Sequence, residues 1–107
     1  MKKVMTREEL IERLRRELPY LSERFGVARL AIYGSFAHGT PRSESDVDLV
    51  VELSRPLGFE FVNLVDYLER ALGRKVSVIT AETVRRNLSH PRYCAVAEQI
   101  ERTKVYV

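Results

Sequence analysis

Val47-Asp48-Leu49-Val50-Val51-Glu52-Leu53 constrains the fold more than any other stretch of the chain. Apolar, β-branched residues crowd into it and turn-forming residues bound it, so it predicts a strand. Ala28-Arg29-Leu30-Ala31-Ile32-Tyr33, ending at Gly34, and Lys75-Val76-Ser77-Val78-Ile79-Thr80 are two further strand candidates. Helical patterns separate them. Thr6-Arg7-Glu8-Glu9 reads as a capping box, and Leu10, Ile11, Leu14, Leu18 and Leu21 then recur at helical spacing. A first helix therefore runs from about Arg7 toward Phe25, with Pro19 expected to kink or divide it and Gly26 to stop it. Phe61, Leu64, Val65, Leu68, Ala71 and Leu72 mark a second from about Phe59 to Leu72, closed by Gly73. A loop or short helix of small residues follows Gly34. The tail from Ala81 reads as one or two short helices, the second opened by Pro91 with Tyr93, Ala97 and Ile100 inward. This order predicts an α/β (α+β) domain with a small mixed β-sheet flanked by helices. Strands two and three, joined by a helix, suit a parallel right-handed crossover.

The chain has 107 residues, enough for one domain spanning 1–107 but not for two separate cores. At 45% hydrophobic and 31% charged it is not a disordered composition. No run approaches the ~20 apolar residues of a membrane span, and the N-terminus lacks the apolar core of a signal peptide. A lone Cys94 excludes an internal disulfide and a thiolate metal cluster, so a cytoplasmic location is expected. Fourteen of the 18 basic residues are arginine, yet the net charge of +3 is too small to argue for direct nucleic-acid binding.

Chemistry concentrates between Tyr33 and Leu49. Asp46 and Asp48 stand two apart where a strand begins, so their side chains share a face while Val47 and Leu49 face the other way. Neighbouring carboxylates repel unless a proton or cation lies between them. Mg2+ suits such a pair, because it is commonly held by one or two carboxylates together with substrate phosphates. Gly34 and Ser35 supply a close-approaching backbone and a hydroxyl at a helix start, a fitting grip for phosphate. Outside this stretch, Cys94 reads as a small apolar residue, Asp66 and Glu69 as a solvated helix face, and His90-Pro91 as a helix-entry turn.

Gly34-Ser35, then Gly39, then Ser45-Asp46-x-Asp48-Leu49 resembles the signature of the DNA polymerase beta nucleotidyltransferase superfamily. The short length, the leading helix, Pro56-Leu57-Gly58 and Gly73-Arg74-Lys75-Val76 resemble its minimal nucleotidyltransferase branch. The resemblance implies the polymerase-beta-type nucleotidyltransferase fold and transfer of a nucleoside monophosphate from a nucleoside triphosphate, ATP by expectation, to an acceptor hydroxyl. It implies Asp46 and Asp48 as catalytic magnesium ligands and Gly34 and Ser35 as triphosphate contacts; Ser45, within the motif, and Arg42, in the loop before the aspartates, are further candidate nucleotide contacts. His38 is a further phosphate candidate. Many minimal members are antitoxins encoded beside a HEPN-type toxin, and several add AMP to a tyrosine of it. A HEPN-type toxin is thus the implied partner. A homo-oligomer is left open, and no membrane partner is expected.

One position departs from the pattern. A third carboxylate belongs on the next strand, where it orients or deprotonates the acceptor; the matching residue here is Ser77. A serine hydroxyl is a poor general base and a weak magnesium ligand. Glu52 lies four residues beyond Asp48, about 13 Å along a strand, too far to substitute. Glu44, in the loop, stays open as a replacement. Alternation places Ser77 opposite core-facing Val76 and Val78, toward the aspartates. Three readings follow: AMP transfer to a partner, a nucleotide- or partner-binding module that neutralises the partner by occlusion, or a small structural or regulatory domain whose acidic pair binds a cation.

Overall fold

The computed structural model describes residues 6–38 and 46–107, leaving aside the side chains of Ser35 and His38. The elements are α1 (Arg7–Phe25), β1 (Val27–Tyr33), α2 (Ser35–His38), β2 (Val47–Leu53), α3 (Glu60–Leu72), β3 (Val76–Thr80), α4 (Ala81–Asn87), α5 (Cys94–Thr103) and β4 (Val105–Tyr106).

Thr6 caps α1 by accepting from the Glu9 backbone N–H at 3.1 Å, a contact typically worth about 1 kcal/mol. Gly26 ends the helix at φ 71°, its N–H reaching the Leu21 and Ser22 carbonyls. Pro19 does not divide α1. It sits on the exposed side, where water can satisfy the carbonyl left without its amide partner, while Leu14 and Leu21 hold the helix to the core on either side of it.

The four strands form one sheet in the order β3-β2-β1-β4. β1 runs antiparallel to β2 and β4, and β2 parallel to β3, so the sheet is mixed and β2–α3–β3 is the expected parallel crossover. The short β4 is absent from the sequence reading. Only two residues long, it is held by pairing of Ala31 with Tyr106 and Ile32 with Val105, and by the Arg29 guanidinium 3.9 Å over the Tyr106 ring.

Strand alternation divides the core. Leu30, Ile32, Val47, Leu49, Val51 and Val76 point to one face, where α1, α3 and Phe36 of α2 bury them. Ala31 and Val50 point to the other, under Val84, Ala97 and Ile100 of α4 and α5. Tyr93 is less covered than its expected inward position suggests: it is 46% exposed and packs its ring against His90. Tyr93 caps α5 and lines a small cavity together with Ala97 and Ile100, so it shares their side of the helix without being covered. Cys94 is half-buried.

Candidate functional site

The register places three polar side chains in one row. Tyr33 pairs with Asp48 across β1 and β2, and Asp48 pairs with Ser77 across β2 and β3. Their neighbours Ile32, Leu49, Val76 and Val78 belong to the large core, so the row lies on the opposite, α4/α5 face. Asp48 is half-buried, Ser77 is exposed, and Asp46 is exposed immediately before β2. Ser77 therefore stands beside Asp48, as the alternation in β3 predicts.

Gly34 follows the row at φ 73°. A Cβ added there would lie 2.3 Å from Asp48 Oδ2, so only glycine lets the turn close over this carboxylate. α2 begins at Ser35 directly after it, and the Arg7 guanidinium donates to the Ala37 carbonyl at 3.1 Å, tying α2 to α1. The turn and the aspartates thus meet at one end of the sheet. Arg42, Ser45, Gly39 and Glu44 lie outside the described residues, as do the side chains of Ser35 and His38.

Burial, and then the charge of Asp46, hold the Asp48 carboxyl above its ordinary value. The Tyr33 phenol is also raised, by burial first and by the Asp48 charge second, with a hydrogen bond from Ser77 pulling the other way. A carboxylate that is half-buried and repelled by its neighbour fits a divalent cation, which relieves both penalties. Among the described residues no cluster of three or more His, Cys, Asp or Glu side chains adds a third acidic ligand. Glu52 sits at the far end of β2 and faces Arg29 at 4.0 Å.

Two features escaped the sequence reading. Arg74, just before β3, lies with its guanidinium 5.6 Å from the Phe36 ring and so brings a cation to α2. No local motif announces this, because the contact joins residues far apart in sequence. A groove of about 530 Å³ lies at the opposite end of β2, lined by residues including Ser54, Arg55, Thr80 and Arg85. It is separate from the aspartates.

A mixed sheet with a carboxylate pair at a strand start, overlaid by a positive-φ glycine turn, defines the class to which comparison with known proteins assigns the chain. The model of the nucleotidyltransferase domain family matches residues 9–107, and the chain belongs to that family. It is similar to a candidate protein adenylyltransferase of Methanocaldococcus jannaschii, at 35% identity over 95% of this chain and 98% of the relative. It is 30% identical to the protein adenylyltransferase MntA of Thermococcus cleftensis, over 97% and 98% of the two chains. A solved structure described as a candidate minimal nucleotidyltransferase superposes with a TM-score of 0.65 at 34% identity, covering 94% of this chain and 95% of that one. A chain of the toxin–antitoxin complex MntA–HpeT shares the fold, with a TM-score of 0.59 at 18% identity over 94% and 71%. Nucleotidyltransferases of this family generally use a divalent metal. No helix among the described residues is long and apolar enough to cross a membrane.

Proposed function

We propose that this chain is a protein adenylyltransferase that binds ATP with Mg2+ and transfers AMP to a hydroxyl of a HEPN-type toxin, acting as its antitoxin. The observation that carries the reading is the closure of the Gly34 turn over Asp48, beside the repelling Asp46, in a chain whose near-full-length relatives are named for protein adenylylation. Asp46 and Asp48 would hold the magnesium ion, whose charge neutralises phosphate oxygens when bound. The Gly34-Ser35 turn grips the triphosphate, with Ser45 and Arg42 as further nucleotide contacts. The acceptor oxygen attacks the α-phosphorus, the bond to the bridging oxygen breaks and pyrophosphate leaves. With Ser77 beside Asp48 in place of an acidic group, the acceptor proton passes to water and transfer is slow.

A second reading has its own observation. Ser77, a residue with no charge or strong basicity, is the β3 neighbour of Asp48, which favours neutralisation by occlusion. One experiment separates the two: incubate α-labelled ATP, Mg2+ and the toxin encoded alongside with wild type, Asp48→Asn and Ser77→Asp. Transfer predicts slow labelling of the toxin, loss in Asp48→Asn, and a gain in Ser77→Asp within the roughly 10²- to 10⁴-fold of general-base catalysis. Neutralisation with no label from wild type or Ser77→Asp establishes occlusion.

A further inference from the structure

We propose that Tyr33, paired with Ser77, is a positioning residue for the incoming acceptor hydroxyl. The inference rests on the transferase reading above and names the groups that serve where a third carboxylate is missing. Tyr33, Asp48 and Ser77 occupy one row across three adjacent strands and point to one face. Neighbouring strands lie about 4.8 Å apart, so a phenol must cross β2 to meet a residue on β3. A tyrosine is long enough to do so: Tyr33 stands on the same face as Ser77 with Asp48 between them, and its phenol feels both neighbours. The ring packs against the small cluster of Ala31, Val50 and Val84, which fixes its direction. The phenol consequently lies at the polar end of that cluster, in the row with Asp48 and the solvent-exposed Ser77.

Gly34 closes over Asp48 from the turn, which leaves the Ser77 side for the second substrate. Two neutral hydroxyls there can donate to and accept from an incoming hydroxyl while adding no charge to a site that already holds two carboxylates. Neither is a strong base. They orient the acceptor and leave its proton to water.

The test is a cycle of Tyr33→Phe, Ser77→Ala and the double variant, each incubated with Mg–ATP and the toxin. Tyr33→Phe keeps the ring, so its melting temperature and KM for ATP should match wild type. Its kcat/KM for the acceptor should fall about 3- to 10-fold, the worth of one neutral hydrogen bond. Because the hydroxyls act as a pair, the double variant should be no worse than the poorer single one. A second readout needs no turnover. With ¹³Cζ-labelled tyrosine, the resonance that Tyr33→Phe removes should shift in Ser77→Ala and again when Mg2+ and a non-hydrolysable ATP analogue bind. Unchanged acceptor kinetics in Tyr33→Phe, additive losses in the double variant, or a Tyr33 resonance indifferent to Ser77→Ala overturns the inference alone. A wild type that binds Mg–ATP without transferring AMP overturns the transferase reading in favour of occlusion, and the inference falls with it. A wild type that binds no Mg–ATP overturns the transferase reading and the inference with it.

Discussion

The two faces of the sheet follow different rules. On the α1/α3 face the inward side chains of β1 and β2 are apolar, and Ile32, Val47, Leu49 and Val51 are fully buried. On the α4/α5 face the same strands carry Ala31 and Val50, and then the polar row Tyr33, Asp48 and Ser77. Two short helices cover the apolar part of that face, while Ser77 stays exposed. The difference teaches a division of labour. One face supplies the burial that holds β2 in place, and the other uses that rigidity to keep a carboxylate in an unfavourable setting.

Adjacent residues of β2 put this to its hardest test. Leu49→Ala should cost about 2–5 kcal/mol, through lost transfer energy and a cavity in the larger core. Below its lowered melting temperature it should still bind Mg–ATP. Asp48→Asn should do the reverse. The folded-state pKa of Asp48 is raised, so its ionisation favours the unfolded chain, and stability falls as pH rises from the unfolded pKa through the folded one. Removing the charge should leave neutral-pH stability unchanged or higher, and binding should be lost. Thermal unfolding and calorimetry with Mg–ATP check both, and a shared loss of stability would break the contrast.

Gly34→Ala sharpens the comparison where the faces meet. The positive φ costs a side-chain-bearing residue about 1–2 kcal/mol. The new Cβ would also collide with Asp48 Oδ2, and the carboxylate would have to turn away. Affinity for Mg–ATP should therefore fall further than in Leu49→Ala, despite the smaller loss of stability. Binding as tight as wild type would show that the turn does not set the Asp48 orientation.

The large face was legible in the sequence, and the small one only in part. β2 fell where its β-branched run lies, and α1 and α3 where their leucines recur. These signals are local. The placement of Ser77 toward Asp48 also followed from alternation within β3. The partners of the row did not, because that Tyr33 stands opposite Asp48 is a matter of inter-strand register, set by pairing between distant segments. β4 carries too few residues to show a period. The Gly34-Ser35 and Asp46-x-Asp48 motifs pointed to the candidate site, but not to the closeness of the turn to one carboxylate.

The smallest expected effect lies on the structural face and is read in pH. Tyr67 of α3 donates to Glu17 of α1 and stacks on Tyr20 with centroids 4.7 Å apart. The Glu17 hydrogen bond foremost, then burial and the Glu17 charge, push the phenol from 10.0 up to about 12. The folded state thus favours the neutral phenol. The contribution is complete below the unfolded pKa near 10 and is lost as pH rises through 12. Tyr67→Phe keeps the ring and should cost only about 0.5–1 kcal/mol at neutral pH, the low range for a partly exposed hydrogen bond. Above pH 10 the two curves should converge, because wild type alone loses this contact. Urea unfolding at intervals from pH 8 to beyond the folded-state pKa measures the gap, and Mg–ATP binding at pH 8 should be the same for both chains. A constant gap across the alkaline range would mean that Glu17 does not hold the phenol neutral. A loss of binding would mean that the α1/α3 face reaches the site by more than holding β2 still.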